Sequence, residues 1–147
     1  MINNISIIIP VLNEAENIVS LLNHLIETST PKNIAEIIIV DGGSTDGTIE
    51  KVKTLFIGRA QSRPIKDLST ALEGTIHLLN APKGRAKQMN LGAKNATGDI
   101  LYFLHADSFP PKDFDNLIIS EIEKGNRAGC FRMQFDSNHW WLRLASW

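Results

Sequence analysis

Several features are scarce in this sequence, and each scarcity excludes a class of protein. The chain of 147 residues has one cysteine, Cys130, so it cannot contain an intramolecular disulfide framework. Its formal net charge is -1 with both signs interspersed, which argues against nonspecific binding to nucleic acid. Sparse cysteine fits a reducing compartment, and we expect the cytoplasm.

Long apolar runs are also scarce. No window is long enough for a membrane-spanning helix, and Pro10 interrupts the first apolar run too early for a secretory signal. The hydrophobic share of 43% and the charged share of 21% are those of a globular protein. The length suffices for one domain with a core, so we predict a single domain over residues 1–147.

Short apolar runs alternate with helical patterns along the chain. Strands are predicted at 5–9, 37–40, 76–79 and 100–104, and each is followed by an amphipathic stretch. This alternation predicts an α/β fold with an open, mostly parallel sheet and helices on both faces.

Three details of this pattern carry separate predictions. Asn13 is expected to cap the first helix, with Glu16 at the capping-box position. Residues 57–74 are polar, contain Pro64 and break the alternation, so we interpret them as a surface insertion. Residues 130–135 are a candidate fifth strand.

Polar residues follow each predicted strand. Ligands of open α/β sheets bind beyond the carboxyl ends of the strands, where loops and helix N-termini gather. The predicted site residues are therefore Pro10, Asn13 and Glu14 after the first strand, Asp41, Gly42 and Gly43 after the second, Lys83, Gly84 and Arg85 after the third, and His105 and Asp107 after the fourth.

Each of these residues also has a purely structural explanation. Asn13 is a natural helix cap, and "DGGSTDGT" is ordinary turn chemistry that lacks the lysine of a phosphate-binding P-loop. The cations of "PKGRAKQMN" are what a solvated surface carries, and Asp107 suits a turn before Pro110. These structural roles stay open beside the functional ones.

The functional interpretation assigns a ligand group to each strand end. Asp41 can accept hydrogen bonds from a base or ribose, while Gly42 and Gly43 let the ligand approach the backbone. Arg85 stands beside the free N–H groups of a helix start, which favours an anion. Asp107 suits a divalent cation held jointly with diphosphate oxygens, either Mg²⁺ or Mn²⁺, and a nitrogen ligand such as His105 would favour Mn²⁺.

Three segments together resemble the family 2 glycosyltransferases of the GT-A fold. They are "SIIIPVLNEAENI", "EIIIVDGGSTDGT" and "KGRAKQMNLGAKNATGDILYFLHADS", in that order. Within the family, "VDGGSTDGT", "GRAKQMN" and "FLHADS" resemble the arsenosugar-biosynthesis or selenodomain-associated subgroup. The resemblance implies a Rossmann-like nucleotide-binding half and a UDP- or GDP-sugar donor.

The resemblance also implies roles for single residues. Around the nucleoside it places the residues of the first two strand ends, which are Pro10, Asn13, Glu14 and Asp41. Arg85 would lie near the base or diphosphate, and Asp107 would bind Mg²⁺ or Mn²⁺. Family members commonly have Asp-x-Asp at the metal motif, whereas this chain has His105-Ala106-Asp107, so an imidazole would have to contact the ribose.

The usual general base of the family has no counterpart in this sequence. Family members continue into an acceptor-binding segment with a further acidic motif, and no carboxylate follows Asp136 here. We therefore expect a donor-binding domain that is truncated relative to the family. The implied function is metal-dependent, inverting transfer of a sugar to a hydroxyl acceptor, with an unknown base. The alternative is a non-catalytic nucleotide-sugar-binding protein, or a donor half completed by another chain.

The end of the sequence, "HWWLRLASW", groups the three tryptophans of the chain. Large apolar side chains are usually buried, so we expect Trp140, Trp141 and Leu144 to fold back on the sheet. A partner chain would be a second way to cover this cluster. A peripheral membrane contact is a third, although little basic charge accompanies the cluster.

Overall fold

The computed structural model describes residues 4–62 and 76–132. In the order of the chain its elements are β1 (Ile5–Val11), α1 (Ile18–Thr28), a short 3₁₀ turn (Pro31–Asn33), β2 (Ile34–Asp41), α2 (Thr48–Ser62), β3 (Ile76–Asn80), α3 (Arg85–Asn95), β4 (Ile100–Phe103) and α4 (Phe114–Glu123). The described strands form one parallel sheet in the order β3-β2-β1-β4. The predicted α/β class with an open parallel sheet is confirmed.

Strand β1 lies in the interior of the sheet and is buried over nearly all of its length. Ile5, Ile7, Ile8 and Ile9 are each 0% exposed, because β2 and β4 flank the strand and helices cover both of its faces. β-Branched side chains suit this position because their restricted χ1 rotamers cost little in an extended chain. The isoleucine-rich run, interrupted by Ser6, is thus the local sequence of a central parallel strand.

The two faces of the sheet carry separate cores. On one face, Ile7 and Ile9 pack with the apolar stripe of α1, which includes Leu21, Leu22 and Leu25. The same core includes side chains from α2 and α4. On the other face, Ile8, Ile38 and Val40 pack against α3 and residues next to it. Helices therefore cover both faces, as predicted.

Helix α3 approaches the sheet closely at Gly92. A Cβ atom at this position would lie 2.5 Å from Cγ2 of Ile8, which is closer than two carbon atoms can pack. Glycine is needed here for the close approach, since any side chain would push the helix away from β1.

Two predicted boundaries near the first loop are wrong. Strand β1 does not stop before Pro10 but continues to Val11, with Pro10 paired to Val40 of β2. The carbonyl of Ile8 accepts a hydrogen bond from the N–H of Leu104, on the side of β1 that faces β4. The backbone of Pro10, two residues further along, faces the same side but lies beyond the end of β4. Among the described residues no strand continues beyond β4 to accept a hydrogen bond from position 10, so proline is tolerated.

Helix α1 begins at Ile18, and the N-cap position belongs to Asn17, whose side chain makes no cap hydrogen bond. Asn13 is instead in the left-handed region with φ of 58°. The predicted capping box with Glu16 is therefore not formed. A tight turn over residues 14–17 precedes the helix, closed by bonds from the N–H groups of Asn17 and Ile18 to the carbonyl of Glu14.

Other predictions are met only partly by the described residues. Helix α2 continues to Ser62, so residues 57–62 of the predicted insertion are helical, while 63–74 lie outside the described residues. Residues 130–132 are not in a strand, and the rest of the candidate fifth strand lies outside the described range, as does the tryptophan-rich end. Among the helices of 4–62 and 76–132, none is long and apolar enough to cross a bilayer.

Candidate functional site: the carboxyl rim of the sheet

Four loops meet at the carboxyl edge of the sheet. Val11, Asp41 and Asn80 are aligned across β1, β2 and β3, and β4 ends beside Ile8 on the other side of β1. We call the loops that follow, residues 12–17, 42–47, 81–84 and 104–113, the rim. The chain runs from β1 outward to β3 and then returns to β4, so the strand order reverses at β1 and β4, where open α/β sheets bind ligands.

Most of the predicted site residues lie in or next to the rim. Asp41 is the last residue of β2, and Arg85 is the first residue of α3. Asn13, Glu14, His105 and Asp107 lie in the loops themselves. Pro10 differs, because it is a half-buried residue within β1.

Asp41 organises the loop after β2. The residue is 6% exposed, and its carboxylate accepts hydrogen bonds from the N–H of Gly43 at 3.1 Å, the N–H of Ser44 at 3.0 Å and the hydroxyl of Ser44 at 2.6 Å. This is the pattern by which an aspartate closes a turn two and three residues ahead. The structural role considered for "DGGSTDGT" is therefore present, and it holds the carboxylate in one orientation.

The two glycines of this loop have different environments. Gly43 is exposed and has φ of 96°, a conformation that glycine adopts without strain, and its missing Cβ leaves open space. Gly42 is buried, and a Cβ there would lie 3.1 Å from the side-chain amide of Gln88. Open space for a ligand therefore lies at Gly43, whereas the space at Gly42 is taken by protein.

Gln88 lies in α3 beside the rim and was not among the residues predicted from the sequence. It lies one turn into α3, is 3% exposed and donates from Nε2 to the carbonyl of Val11 at 2.7 Å and to that of Val40 at 2.8 Å. It thereby joins α3 to the ends of β1 and β2. The available sequence signal was weak, since the buried pair Gln88 and Gly92 has helical spacing but contains no apolar residue.

The loops after β1 and β2 are joined by hydrogen bonds around Asn13. The N–H of Asn13 donates to Oγ of Ser44 at 2.9 Å, and the N–H of Thr45 donates to Oδ1 of Asn13 at 2.9 Å. Asn13 therefore anchors the neighbouring loop rather than capping its own helix. This use of its side chain depends on a residue 32 positions away, which no local pattern indicates.

A second set of bonds joins the same two loops through Asp46 and Thr48. Oδ2 of Asp46 accepts from the N–H of Ala15 at 3.0 Å, and Oγ1 of Thr48 accepts from the N–H of Glu14 at 2.9 Å. Bonds from the Thr48 hydroxyl, and then from the N–H of Ala15, hold the pKa of Asp46 below its usual value. A negative charge here also favours the N-terminus of α2.

The loop after β4 presents His105 and Asp107 to solvent. Both side chains are exposed, and Asp107 accepts a long bond of 3.3 Å from Oγ of Ser108. The far end of this loop is tied down, because the N–H of Asp113 donates to the carbonyl of Thr28 at 3.1 Å. The loop thus presents two exposed polar side chains and is held at its far end by a backbone hydrogen bond.

The carboxylate of Asp107 suits a metal ion that takes most of its ligands from the substrate. Across residues 4–62 and 76–132, no three His, Cys, Asp or Glu side chains are grouped closely enough to hold a metal ion. A protein cage for a cation is therefore not available in this part of the chain. Mg²⁺ is commonly bound by one or two carboxylates together with phosphate oxygens and water, and an exposed carboxylate such as Asp107 fits that chemistry.

The N-terminus of α3 combines positive charge with backbone N–H groups that have no partner within the helix. Arg85, Lys83 and Lys87 are exposed, and the N-cap position is occupied by Gly84, which has no side chain to bond the first N–H groups. Gly84 has φ of 139°, a conformation that other residues rarely adopt. Cations beside free helix N–H groups form a site that attracts phosphate.

Comparison with known proteins identifies the family. The sequence model of Glycosyl transferase family 2 matches residues 6–147, so the chain belongs to this family. Among curated proteins, Glycosyltransferase AglE of Haloferax volcanii is 37% identical over 118 residues, which are 80% of this chain and 35% of that protein. The chain thus spans about a third of the length of the curated relatives it matches.

Solved structures show the same fold. S. aureus TarS in complex with UDP has a TM-score of 0.64 and 23% identity, covering 82% of this chain and 32% of that one. The mannosyltransferase PcManGT from Pyrobaculum calidifontis, in complex with GDP-Man and Mn²⁺, has a TM-score of 0.61 and 26% identity, covering 78% of this chain and 30% of that one. The GT-A fold implied by the sequence resemblance is confirmed.

Proposed function

We propose that this chain is the donor-binding part of a glycosyltransferase that transfers a sugar from a nucleotide-diphosphate-sugar to a hydroxyl acceptor. The observation that carries the proposal is the parallel strand order, which brings Asp41, the cationic start of α3 and the exposed Asp107 to one edge of the sheet. Family membership favours an enzyme over a non-catalytic binding protein.

The nucleoside is proposed to bind at the loops after β1 and β2. Each carboxylate oxygen has two lone pairs, so Asp41 can accept a bond from a base or ribose in addition to those from its own loop. Its burial and its bonds to Gly43 and Ser44 fix the direction in which it would do so. Glu14 lies in the adjoining loop, held by a bond of 2.9 Å from its N–H to Thr48.

The diphosphate is proposed to bind between α3 and the loop after β4. Arg85 and the first N–H groups of α3 supply positive potential, while His105 would contact the ribose and Asp107 would hold Mg²⁺ or Mn²⁺. When bound, such a metal would neutralise charge on the departing diphosphate. UDP and GDP-Man with Mn²⁺ occupy the similar structures of TarS and PcManGT, which makes both nucleotides the ligands to test.

The proposed reaction is a single displacement with inversion. An acceptor hydroxyl forms the new bond to the anomeric carbon while the bond from that carbon to the diphosphate oxygen breaks, and the hydroxyl proton passes to a base. Developing positive charge on the sugar ring makes stabilisation of the leaving group the main contribution of this part of the enzyme. Arg85 is proposed to make that contribution, and the base stays unassigned.

Two finer assignments belong to the same proposal. The motifs "GRAKQMN" and "FLHADS" support membership of the arsenosugar-biosynthesis or selenodomain-associated subgroup. The single cysteine, which is exposed, supports a reducing compartment such as the cytoplasm.

Calorimetric titration of UDP and GDP, with and without MnCl₂, tests the donor site. Asp107→Asn is the variant, and Asp113→Asn is a matched control on the same loop, because Asp113 is also exposed and makes no side-chain cap bond. Asparagine tolerates the φ of 58° at position 113. We expect metal-dependent binding that Asp107→Asn weakens at least about tenfold and Asp113→Asn leaves unchanged.

Absence of binding to either nucleotide would refute the proposal. Equal losses in the two variants would assign the effect to general charge rather than to a ligand at Asp107. Turnover of sugar nucleotides by the chain would then separate a complete enzyme from a donor half.

A further inference from the structure

Gln88 is a buried amide at the junction of three elements. Its two N–H groups are both used, one on the carbonyl of Val11 in β1 at 2.7 Å and one on that of Val40 in β2 at 2.8 Å. A buried donor or acceptor without a partner is costly, so this pair of bonds allows little freedom in where the side chain lies. The start of α3 is thereby located with respect to two strands at once.

The side-chain amide of Gln88 occupies space that the absence of a side chain at Gly42 leaves free. A Cβ at Gly42 would lie 3.1 Å from its terminal atoms, and the N–H of Gly42 donates to the carbonyl of Val11 at 2.9 Å, the same acceptor that Gln88 uses. One turn later, Gly92 brings α3 into contact with Ile8 of β1. Two adjacent turns of α3 are therefore fixed to the sheet, one by hydrogen bonds and one by close packing.

The groups assigned to the diphosphate lie directly beyond this attachment. The N–H of Gln88 donates to the carbonyl of Gly84 at 3.0 Å, and Arg85 is the first residue of the helix. On the other side, Gly42 adjoins Asp41, which is assigned to the nucleoside. Any shift of α3 over the sheet changes the separation of Arg85 from Asp41.

We propose that Gln88 is a positioning residue that sets the distance between the cationic start of α3 and the loop after β2, and thereby sets the affinity for the diphosphate of the donor. The inference rests on the proposed function. Sites for charged groups depend on donors held to within about half an ångström, so a small displacement of α3 weakens phosphate binding before the fold is lost.

The variant that tests this is Gln88→Met, which keeps the length of the side chain and removes both N–H groups. Affinities for UDP and for uridine are measured by NMR titration on wild type and variant. We expect the affinity for UDP to fall about tenfold and that for uridine to change less than about twofold, because only the diphosphate contacts α3.

Ser6→Ala is the control for general destabilisation. It removes a buried side-chain bond of 2.7 Å to Glu36 near the amino ends of β1 and β2, away from the rim. We expect it to lower the melting temperature without changing either affinity. If Gln88→Met does not fold, Gly42→Ala presses on the same amide while leaving its N–H groups in place, and a smaller loss confined to UDP is expected.

The outcomes separate this inference from the function on which it rests. No binding of UDP or GDP to the wild type refutes both. Binding to the wild type with an unchanged UDP affinity in Gln88→Met refutes the positioning role alone. Equal losses for UDP and uridine, or a similar loss in Ser6→Ala, would make Gln88 a general structural residue and also refute it.

Discussion

The imidazole of His24 lies 2.7 Å from the backbone carbonyl of Pro110, with Nε2 as the donor because a carbonyl can only accept. The contact joins α1 to the loop that carries Asp107, across 86 positions of sequence. The ring of His24 also meets that of Phe109 edge-on, with centroids 5.4 Å apart. A helix on one face of the sheet thus holds the loop on which the proposed metal ligand lies.

Replacing His24 is expected to loosen this loop. His24→Ala removes the hydrogen bond and the ring contact, and we expect a loss of about 1 to 2 kcal/mol in the free energy of unfolding. Urea unfolding measures the loss. Metal-dependent binding of UDP or GDP should weaken as well, whereas binding without metal should not. An unchanged metal response in a destabilised variant would show that the bond supports the fold only.

Ser44 is expected to matter more than its neighbour Thr45. The hydroxyl of Ser44 donates to Asp41 and accepts from the N–H of Asn13, whereas Thr45 bonds Asn13 through its backbone. Ser44→Ala should therefore cost about 1 to 2 kcal/mol in the free energy of unfolding, and Thr45→Ala less than about 0.5 kcal/mol. Denaturant titrations of both variants make the comparison, and equal costs would contradict the structural account of this loop.

Gly92→Ala is expected to destabilise the protein through overpacking. The added Cβ would lie 2.5 Å from Cγ2 of Ile8, in the middle of the sheet. Overpacking of this kind costs about 1 to 3 kcal/mol, which thermal unfolding would report. Gly129→Ala is the control, since a Cβ there meets nothing within 4 Å and should leave stability within about 0.5 kcal/mol. Similar melting temperatures for the two variants would show that α3 can shift to accommodate a methyl group.

Glu36 is expected to make the fold less stable at acid pH. Desolvation raises its pKa, but bonds from the N–H and hydroxyl of Thr97 and from Ser6, with a contribution from His77, outweigh burial and lower it. A carboxylate whose folded pKa lies below its unfolded value of 4.5 stabilises the fold above that value. The stabilisation is lost as the pH falls through the lowered pKa.

Glu36→Gln removes this titration. Urea unfolding at neutral pH and at a pH below 4.5 should show a larger loss of stability on acidification in the wild type than in the variant. The same slope in both proteins would mean that other carboxylates account for the acid sensitivity.

The strands and the fold class were predictable because their signals are local. A run such as 5–9 is β-branched at every position except Ser6, and that pattern is typical of a strand buried on both faces. The placement of Asp41 and Asp107 near one edge follows in turn, since parallel strands have their carboxyl ends on the same side.

The start of α1 was not predictable from local patterns. Asn13 and Glu16 have the spacing of a capping box, yet the side chain of Asn13 bonds Thr45 in the adjoining loop and adopts a left-handed conformation. A local preference of about 1 kcal/mol was overridden by contacts that exist only once β1 and β2 are paired.

The sequence by itself determined the α/β class, the four described strands and the set of polar residues that follow them, because each depends on neighbours within a few positions. Only the tertiary structure decided what those residues do for one another. Gln88 donates hydrogen bonds to carbonyls 77 and 48 positions away. Its side-chain amide occupies the space that a side chain at position 42 would need. Hydrogen bonds and close packing act over a few ångströms of space, whatever the separation along the chain.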